Sequence, residues 1–405
     1  MKNLYCRIYQ FVFRIAAYFL KWRKPKLLSG SGSILDLSEL LNEQGIMKVL
    51  IVTDKGIMSL GLTKNLESGL KNFGIEYEIY DKTVPNPTID NIEEASKIYL
   101  KNQCQAIIGF GGGTAIDCAK GVGARIARPK KSLQQMKGVL KVGRKIPTLI
   151  AIPTTAGTGS EGTLAAVITD SITHDKYAIN DVNLIPHIAV HDPLLTLGLP
   201  PHLTATTGMD ALTHAIEAYI GKANTKETKK YGKQAVELIF RYLEKAYREG
   251  IDLEARHNML KASYYAGLAF TRAYVGNVHA MAHTFGGFYG IPHGLANAVI
   301  LPYVLKYYGK TTHHSLAELA DLVGFNNQGL EDKANYFIEA IEKMNARMKI
   351  PKKIQVPNLD NLEMMIERAY HEANPLYPVP KIFSKDDFRK LFLEVSEINK
   401  ERTNG

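Results

Sequence analysis

The chain has 405 residues, 45% hydrophobic and 22% charged. That composition fits a globular protein of about two domains and excludes a disordered, collagen-like or multi-span membrane chain. The formal net charge is +10, but Lys2, Arg7, Arg14, Lys21, Arg23, Lys24 and Lys26 all precede the first acid, Asp36. Most of the excess therefore sits at the N-terminus. The remainder shows no basic run interleaved with aromatics, which excludes a nucleic-acid-binding protein. The three cysteines, Cys6, Cys104 and Cys118, form no CxxC pair. A disulfide framework or a Cys-zinc site is therefore not expected, and a reducing, cytoplasmic setting is.

Residues 4–22 read LYCRIYQFVFRIAAYFLKW. Arg7 and Arg14 near the middle are too costly for a membrane-spanning helix. No small-residue cleavage site follows, so the segment is a poor secretory signal. Polar positions 3, 7, 10, 14 and 21 fall on one helical stripe, opposite Leu4, Ile8, Phe11, Val12, Ile15, Phe19 and Trp22. Residues 1–27 thus read as a basic amphipathic helix with three open roles. It packs on its own domain or a neighbouring subunit, it lies on an anionic membrane surface through residues 1–24, or it is an organellar presequence.

Leu28–Ser33 reads as a flexible connection. Beyond it, strands are expected at 48–53, 76–80, 106–109 and 147–152, with helices at 57–72, 88–102 (Thr88 as N-cap) and 114–126. This βαβ alternation predicts a parallel sheet covered by helices, an α/β dinucleotide-binding domain over 28–198. From Leu199 the pattern turns helical, at 203–219, 225–248, 253–274 and 329–348. An all-α metal-binding and substrate domain is expected over 199–405.

Gln105–Lys120, QAIIGFGGGTAIDCAK, runs an apolar strand into glycines and opens a helix at Thr114. Glycines admit a phosphate to the backbone, and the helix N-terminus offers free N–H groups. Asp54 closes the strand in VTD. An acid there suits a ribose 2′-OH and repels a 2′-phosphate, favouring NAD over NADP; its simpler role is a helix cap. The hydroxyl-rich PTTAGTGS at 153–160 adds donors for a pyrophosphate or nicotinamide, or is a plain turn. Asp210 and His214 stand four apart on one helical face, and His279, His283 and His293 crowd a second segment. A carboxylate with imidazoles suits Fe(II), Zn(II), Mn(II) or Co(II). Asp210, His214 and two of those three histidines would leave room for a substrate oxygen.

Taken together, VTDKG at 52–56, PNPT at 85–88, GGGTAIDCAK at 111–120, IPTTAGTGSE at 152–161, DPLLT at 192–196, TGMDALTHAIEAY at 207–219 and HAMAHTFGGFYGIPHG at 279–294 resemble the iron-containing (group III) alcohol dehydrogenase family. The resemblance runs from about residue 30 to 310. It implies that family's dehydroquinate-synthase-like architecture; a homodimer is expected because a dimer is the usual minimum for soluble oligomers. It also implies metal ligands Asp210, His214, His279 and His293, holding Fe(II), with Zn(II) as the alternative, and NAD as cofactor. His283 resembles the non-ligand histidine near the nicotinamide and is the proton-relay candidate. Gly112, Gly113, Thr114, Asp117, Thr154, Thr155 and Thr158 are implied cofactor contacts, as are Asp54, Asn86, Lys176, Thr196 and Leu197. Phe270 and Val275 resemble substrate-pocket wall. Together with Phe285 and Phe288 they suggest an apolar site for a small alcohol or aldehyde. Hydride would pass between the carbinol carbon and nicotinamide C4 while the metal acts as Lewis acid on the oxygen. Two other roles stand beside this one. They are a hydroxyacid–oxoacid transhydrogenase, or another reaction on the same scaffold, and a catalytically silent module docked on a membrane.

Overall fold

The protein is described from a computed structural model covering residues 2–173, 175–326 and 329–398. It divides into two compact units. One comprises Leu20–Leu199 with Gly250–Gly267, the other Met1–Phe19, Pro200–Glu249 and Leu268–Gly405.

The first unit is built on strands β1 (Lys26–Ser29), β2 (Lys48–Val52), β3 (Glu76–Tyr80), β4 (Ala106–Gly111), β5 (Gly138–Val139), β6 (Thr148–Pro153), β7 (Ala165–Thr169), β8 (Lys176–Asn180) and β9 (Ile188–His191). Six form a sheet in the order β1-β9-β6-β4-β2-β3, with every neighbouring pair parallel. The side chains explain the parallel choice. Val49 and Ile51 enter the apolar cluster on one face with Ile34, Leu37, Leu66, Leu70, Phe110 and Ile152. Leu50 and Val52 enter the cluster on the other face with Ile92, Tyr99, Ile107, Val122 and Leu149. A strand buried on both faces reads as a continuous apolar run, as these do. β5, β8 and β7 make a second, three-stranded sheet.

Two local expectations are corrected. Leu28 and Ser29 are not part of a flexible connection; Lys26–Ser29 is edge strand β1, in register with Ile188–His191. The helix expected over 57–72 is two helices, Lys55–Ser59 and Lys64–Asn72. Gly61, at φ +66°, separates them, because a positive φ cannot continue a right-handed helix. Ile89–Lys101 forms as expected, with Thr88 and Asn91 in a reciprocal capping box.

Gly250–Gly267, which reads in sequence as part of a helical half, returns to the sheet unit by close backbone contact. Gly159 has φ +57°, and a Cβ there would lie 2.3 Å from the Ser263 carbonyl oxygen; one on Gly267 would lie 2.5 Å from the Gly159 oxygen. The Tyr264 ring meets buried His191 edge-on at 5.2 Å, and Arg256 donates to the carbonyls of Gly250 and Leu199.

The second unit is helical. The helix Pro201–Ile220 is buried almost all round from Gly208 onward. Lys226–Arg248 packs on it so closely that a Cβ on Gly208 would strike Leu243 at 2.2 Å. Asn277–Tyr289, His293–Tyr308, His313–Leu322, Leu330–Arg347, Leu362–Ala373 and Lys385–Val395 add to the bundle, and Ile354–Val356 pairs in parallel with Ser396–Ile398.

Candidate metal centre and cofactor turn

In the helical unit, two close approaches bring the metal-type residues together. Gly294 has no side chain, and a Cβ there would lie 2.4 Å from the Thr206 carbonyl oxygen. The first turn of the helix His293–Tyr308 therefore reaches the Asp210 turn. Gly276 admits Glu217 in the same way, since its Cβ would lie 2.7 Å from Glu217 Oε1.

The result is a cluster of Asp210, His214, His279 and His293, with one potential ligand atom from each and all of these within 4.8 Å of one another. His293 Nε2 lies 3.5 Å and His279 Nε2 3.9 Å from Asp210 Oδ1. Asp210, His214 and His279 are buried; His293 keeps a third of its side chain exposed. One carboxylate and three imidazoles, converging and largely buried, fit a single divalent transition metal.

The surrounding groups fix how the ligands point. Glu217 accepts from Gly276 N, Val278 N and His279 Nδ1, at 2.8, 2.8 and 2.6 Å. The His279 proton is thereby held on Nδ1 and its Nε2 lone pair faces the cluster. Burial holds the His279 ring neutral, well below the usual imidazole range. Asn297, one turn beyond His293, donates to Asp210 Oδ1 at 2.7 Å and sits 3.1–3.2 Å from Nε2 of His293 and His279. Glu217 lies in the same helix as Asp210 and His214, three residues past His214, and Asn297 four past His293. The spacing is the signal that sequence reasoning could have used for both.

His283 is one turn past His279. Its ring stacks on His293 at 5.0 Å, and Nδ1 is 2.6 Å from Glu372 Oε1, which also accepts from the Tyr377 hydroxyl. Phe270 stacks on the His214 ring at 4.2 Å, and Val275 is half-buried just before Gly276. The apolar wall expected from Phe285 is corrected. Phe285 is fully buried against Phe392, and Phe288 lies under the Arg368 guanidinium. Phe285 is a packing residue, because an apolar side chain in a helix reads alike in core and pocket; Phe288 stays half-buried.

In the sheet unit, the turns after β2, β4 and β6 lie side by side. Asp54 follows β2; its Oδ1 accepts from Ile57 N, so it caps the helix Lys55–Ser59, and its Oδ2 lies 3.7 Å from where a Gly111 Cβ would stand. Thr154 N donates to Gly111 O. A Cβ on Gly112 would stand 3.4 Å from Thr155 Oγ1, and one on Gly113 would strike the Thr158 side chain at 2.7 Å. Gly112, Gly113, Thr114, Thr154, Thr155 and Thr158 thus form one cradle at the N-terminus of the helix Gly113–Ala127.

Asp117 is held by the protein's own groups. Its carboxylate accepts from Ser160 Oγ and Val167 N. Lys120, unassigned from sequence, donates to Ser160 Oγ, Thr163 Oγ1 and Ala165 O at 2.8–2.9 Å. These two residues pin the hydroxyl-rich loop to the helix. Lys176 donates to Asn86 Oδ1 at 2.7 Å, and Asn86 takes a positive φ of 57°. Thr196 is buried and its hydroxyl closes its own turn on Pro193 O; Leu197 follows, half-buried.

A parallel sheet with a glycine cradle at its strand ends and a helical unit with a largely buried Asp/His₃ cluster suit a nucleotide-binding, metal-dependent enzyme. Known proteins agree. Residues 24–193 match the iron-containing alcohol dehydrogenase family and residues 204–395 its C-terminal domain. Alcohol dehydrogenase 4 of Schizosaccharomyces pombe is 39% identical over 376 residues, covering 90% of this chain and 86% of the relative. The NAD-dependent methanol dehydrogenase of Bacillus methanolicus is 35% identical over 353 residues, covering 86% and 92%. A crystal structure of 1,3-propanediol oxidoreductase superposes with TM-score 0.88 at 34% identity, covering 93% of this chain and all of that one. The chain belongs to the iron-containing alcohol dehydrogenase family.

Proposed function

We propose that this protein is an NAD(H)-linked alcohol dehydrogenase and aldehyde reductase for small alcohols and aldehydes, with Fe(II) as its metal. The observation that carries this is the buried cluster of Asp210, His214, His279 and His293, with His283 one turn away and Phe270 stacked on His214. When bound, the metal supplies Lewis acidity to the substrate oxygen and the nicotinamide accepts or returns the hydride.

The chain's own residues do the rest. Glu217 and Asn297 hold the ligands in place before the metal arrives. His283, oriented by Glu372, moves the alcohol proton. Phe270 keeps the region beside His214 apolar. Gly112, Gly113, Thr114, Thr155 and Thr158 hold the pyrophosphate at the helix N-terminus, where N–H groups are unpaired. The Asp54 carboxylate meets the adenosine ribose and disfavours a 2′-phosphate; Asn86 and Lys176 form one further contact with the cofactor. Asp117 and Lys120 act on the cofactor through the loop they pin, and Thr196 and Leu197 through the turn after β9.

The three cysteines are free and buried, which supports a reducing, cytoplasmic site. A homodimer is the expected assembly, with peripheral membrane contact through the N-terminal residues.

The test is NADH oxidation by metal-stripped protein over a panel of short aldehydes, with and without Fe(II) added anaerobically. Activity that appears only with metal is expected. Tight NADH binding with no aldehyde turnover would overturn the substrate class and favour an oxoacid acceptor; no NADH binding would overturn the cofactor.

A further inference from the structure

The N-terminal helix, Lys2–Tyr18, docks by its polar stripe and not by its apolar one. Arg7 donates to the carbonyls of Val379 and Pro380 at 2.8 and 3.0 Å. Gln10 Nε2 donates to those of Pro375 and Tyr377 at 3.0 and 2.8 Å. Arg14 reaches the Lys222 carbonyl at 3.4 Å. Cys6 and Gln10 are buried under the helix. Rolling the helix to bury its apolar stripe on this unit would abandon all five acceptors, three of them bonded by guanidinium groups, and charge-assisted bonds are the stronger kind.

The opposite face is left outward. Leu4, Tyr5, Ile8, Phe11, Val12, Ile15, Tyr18 and Phe19 are between 48% and 81% exposed. They recur at helical spacing, so they form one continuous stripe. A contiguous apolar patch of several hundred Å² on a soluble protein marks an interaction surface.

We propose that this stripe is the docking surface for an anionic lipid bilayer, with the helix lying in the membrane plane. Charge selects lipid over a second copy of the chain. No acid precedes Asp36; Arg7 and Arg14 are spent on backbone carbonyls, and Lys21, Lys24 and Lys26, directly after the helix in the chain, are exposed. Two copies meeting through this segment would set like charge beside like charge, whereas acidic headgroups complement it. Tyr5 and Tyr18, both more than 60% exposed, are residue types favoured at headgroup depth. No helix among the described residues is long and apolar enough to cross a membrane, so the contact is peripheral. The helix also precedes residue 24, where the match to the dehydrogenase family begins.

The experiment is flotation of the full-length protein with phosphatidylcholine vesicles, with and without about one-third phosphatidylglycerol. The comparison variant carries Ile8→Ser, Phe11→Ser and Phe19→Ser, three outward side chains whose loss leaves the docking bonds in place. Wild type is expected to float with anionic vesicles at least about tenfold more than with neutral ones, and less at high salt. The variant is expected to stay with the soluble fraction at unchanged Tm and unchanged aldehyde reductase activity. Failure of wild type to float with anionic vesicles overturns the proposal, as does equal flotation of the variant. A wild type that ignores vesicles but loses mass by light scattering when the three serines are introduced assigns the stripe to self-association. Activity is read on the same samples, so failure of the membrane proposal and failure of the dehydrogenase assignment are separable.

Discussion

The Glu217 carboxylate takes three N–H donors, and one of them belongs to the His279 ring. Burial pushes this carboxyl up, to about 8, while the backbone and ring donors pull it down. Its Oε2 pairs with His279 Nδ1, so it sets which ring nitrogen faces the cluster. Glu217→Gln puts an NH₂ group against one of these donors and releases the ring. The expected result is a loss of roughly 10- to 100-fold in metal affinity, read by chelator competition, with little change in far-UV circular dichroism. Unchanged affinity would remove Glu217 from the metal centre. At this scale the sequence was legible where contacts are local. Asp210 and His214 share a helical face by spacing alone. What Glu217 touches lies 59–62 residues further along the chain, and Glu372, which orients His283, sits in the tail where the motifs thin out. Spacing places Glu217 beside His214 on its helix, but the fold is needed to show that it holds His279 and that Glu372 holds His283.

Among the elements, the strands with the longest apolar runs, β2, β4 and β6, were readable because burial on both faces leaves no polar alternation. β1 was not, because KLLS is short and its partner β9 lies about 160 residues on. His187 ties that edge together. Its backbone N–H donates to Leu149 O, its carbonyl accepts from Lys26 N, and its Nδ1 accepts from Leu149 N at 3.0 Å. Burial, helped by the nearby Arg23 charge, pulls its pKa from 6.5 to about 4. The ring must stay neutral to accept that bond. As pH falls through 6.5 the unfolded chain takes up a proton that the folded chain refuses, so stability is lost between about pH 6.5 and 4 and is flat with respect to this group above that window. His187→Gln keeps an acceptor and removes the titration. The Tm advantage of wild type over this variant is expected to shrink as pH drops from neutral toward 4.5 in thermal melts. A constant difference would mean that His187 does not titrate with folding.

On the scale of the whole molecule, the two ligand systems belong to different compact units. Asp210, His214, His279 and His293 all lie in the helical unit, and the glycine cradle, Asp54, Asn86 and Lys176 in the sheet unit. The chain crosses between the units several times, which a sequence divided once at residue 199 could not register. The Gly159–Gly267 approach behind one crossing depends on two glycines, and nothing in their local sequence distinguishes them from turn glycines. A ligand that binds only the folded state raises stability by RT ln(1 + [L]/Kd), about 4 kcal/mol at a thousandfold excess over Kd. Chelation is therefore expected to lower the Tm of the loaded protein by several degrees, and NADH to raise it. Single substitutions should separate the two shifts. His279→Ala removes one metal ligand and is expected to lose metal, activity and the chelator-sensitive part of the Tm, while keeping most of the NADH shift. Gly113→Val drives a side chain into Thr158, which even a Cβ would meet at 2.7 Å, and is expected to lose the NADH shift while retaining metal. Calorimetry with metal analysis on both variants reads all four quantities. If His279→Ala kept metal at wild-type stoichiometry, the ligand assignment would fail. If either variant lost both shifts, each unit would need the other's ligand to bind its own, contrary to a division of labour between them.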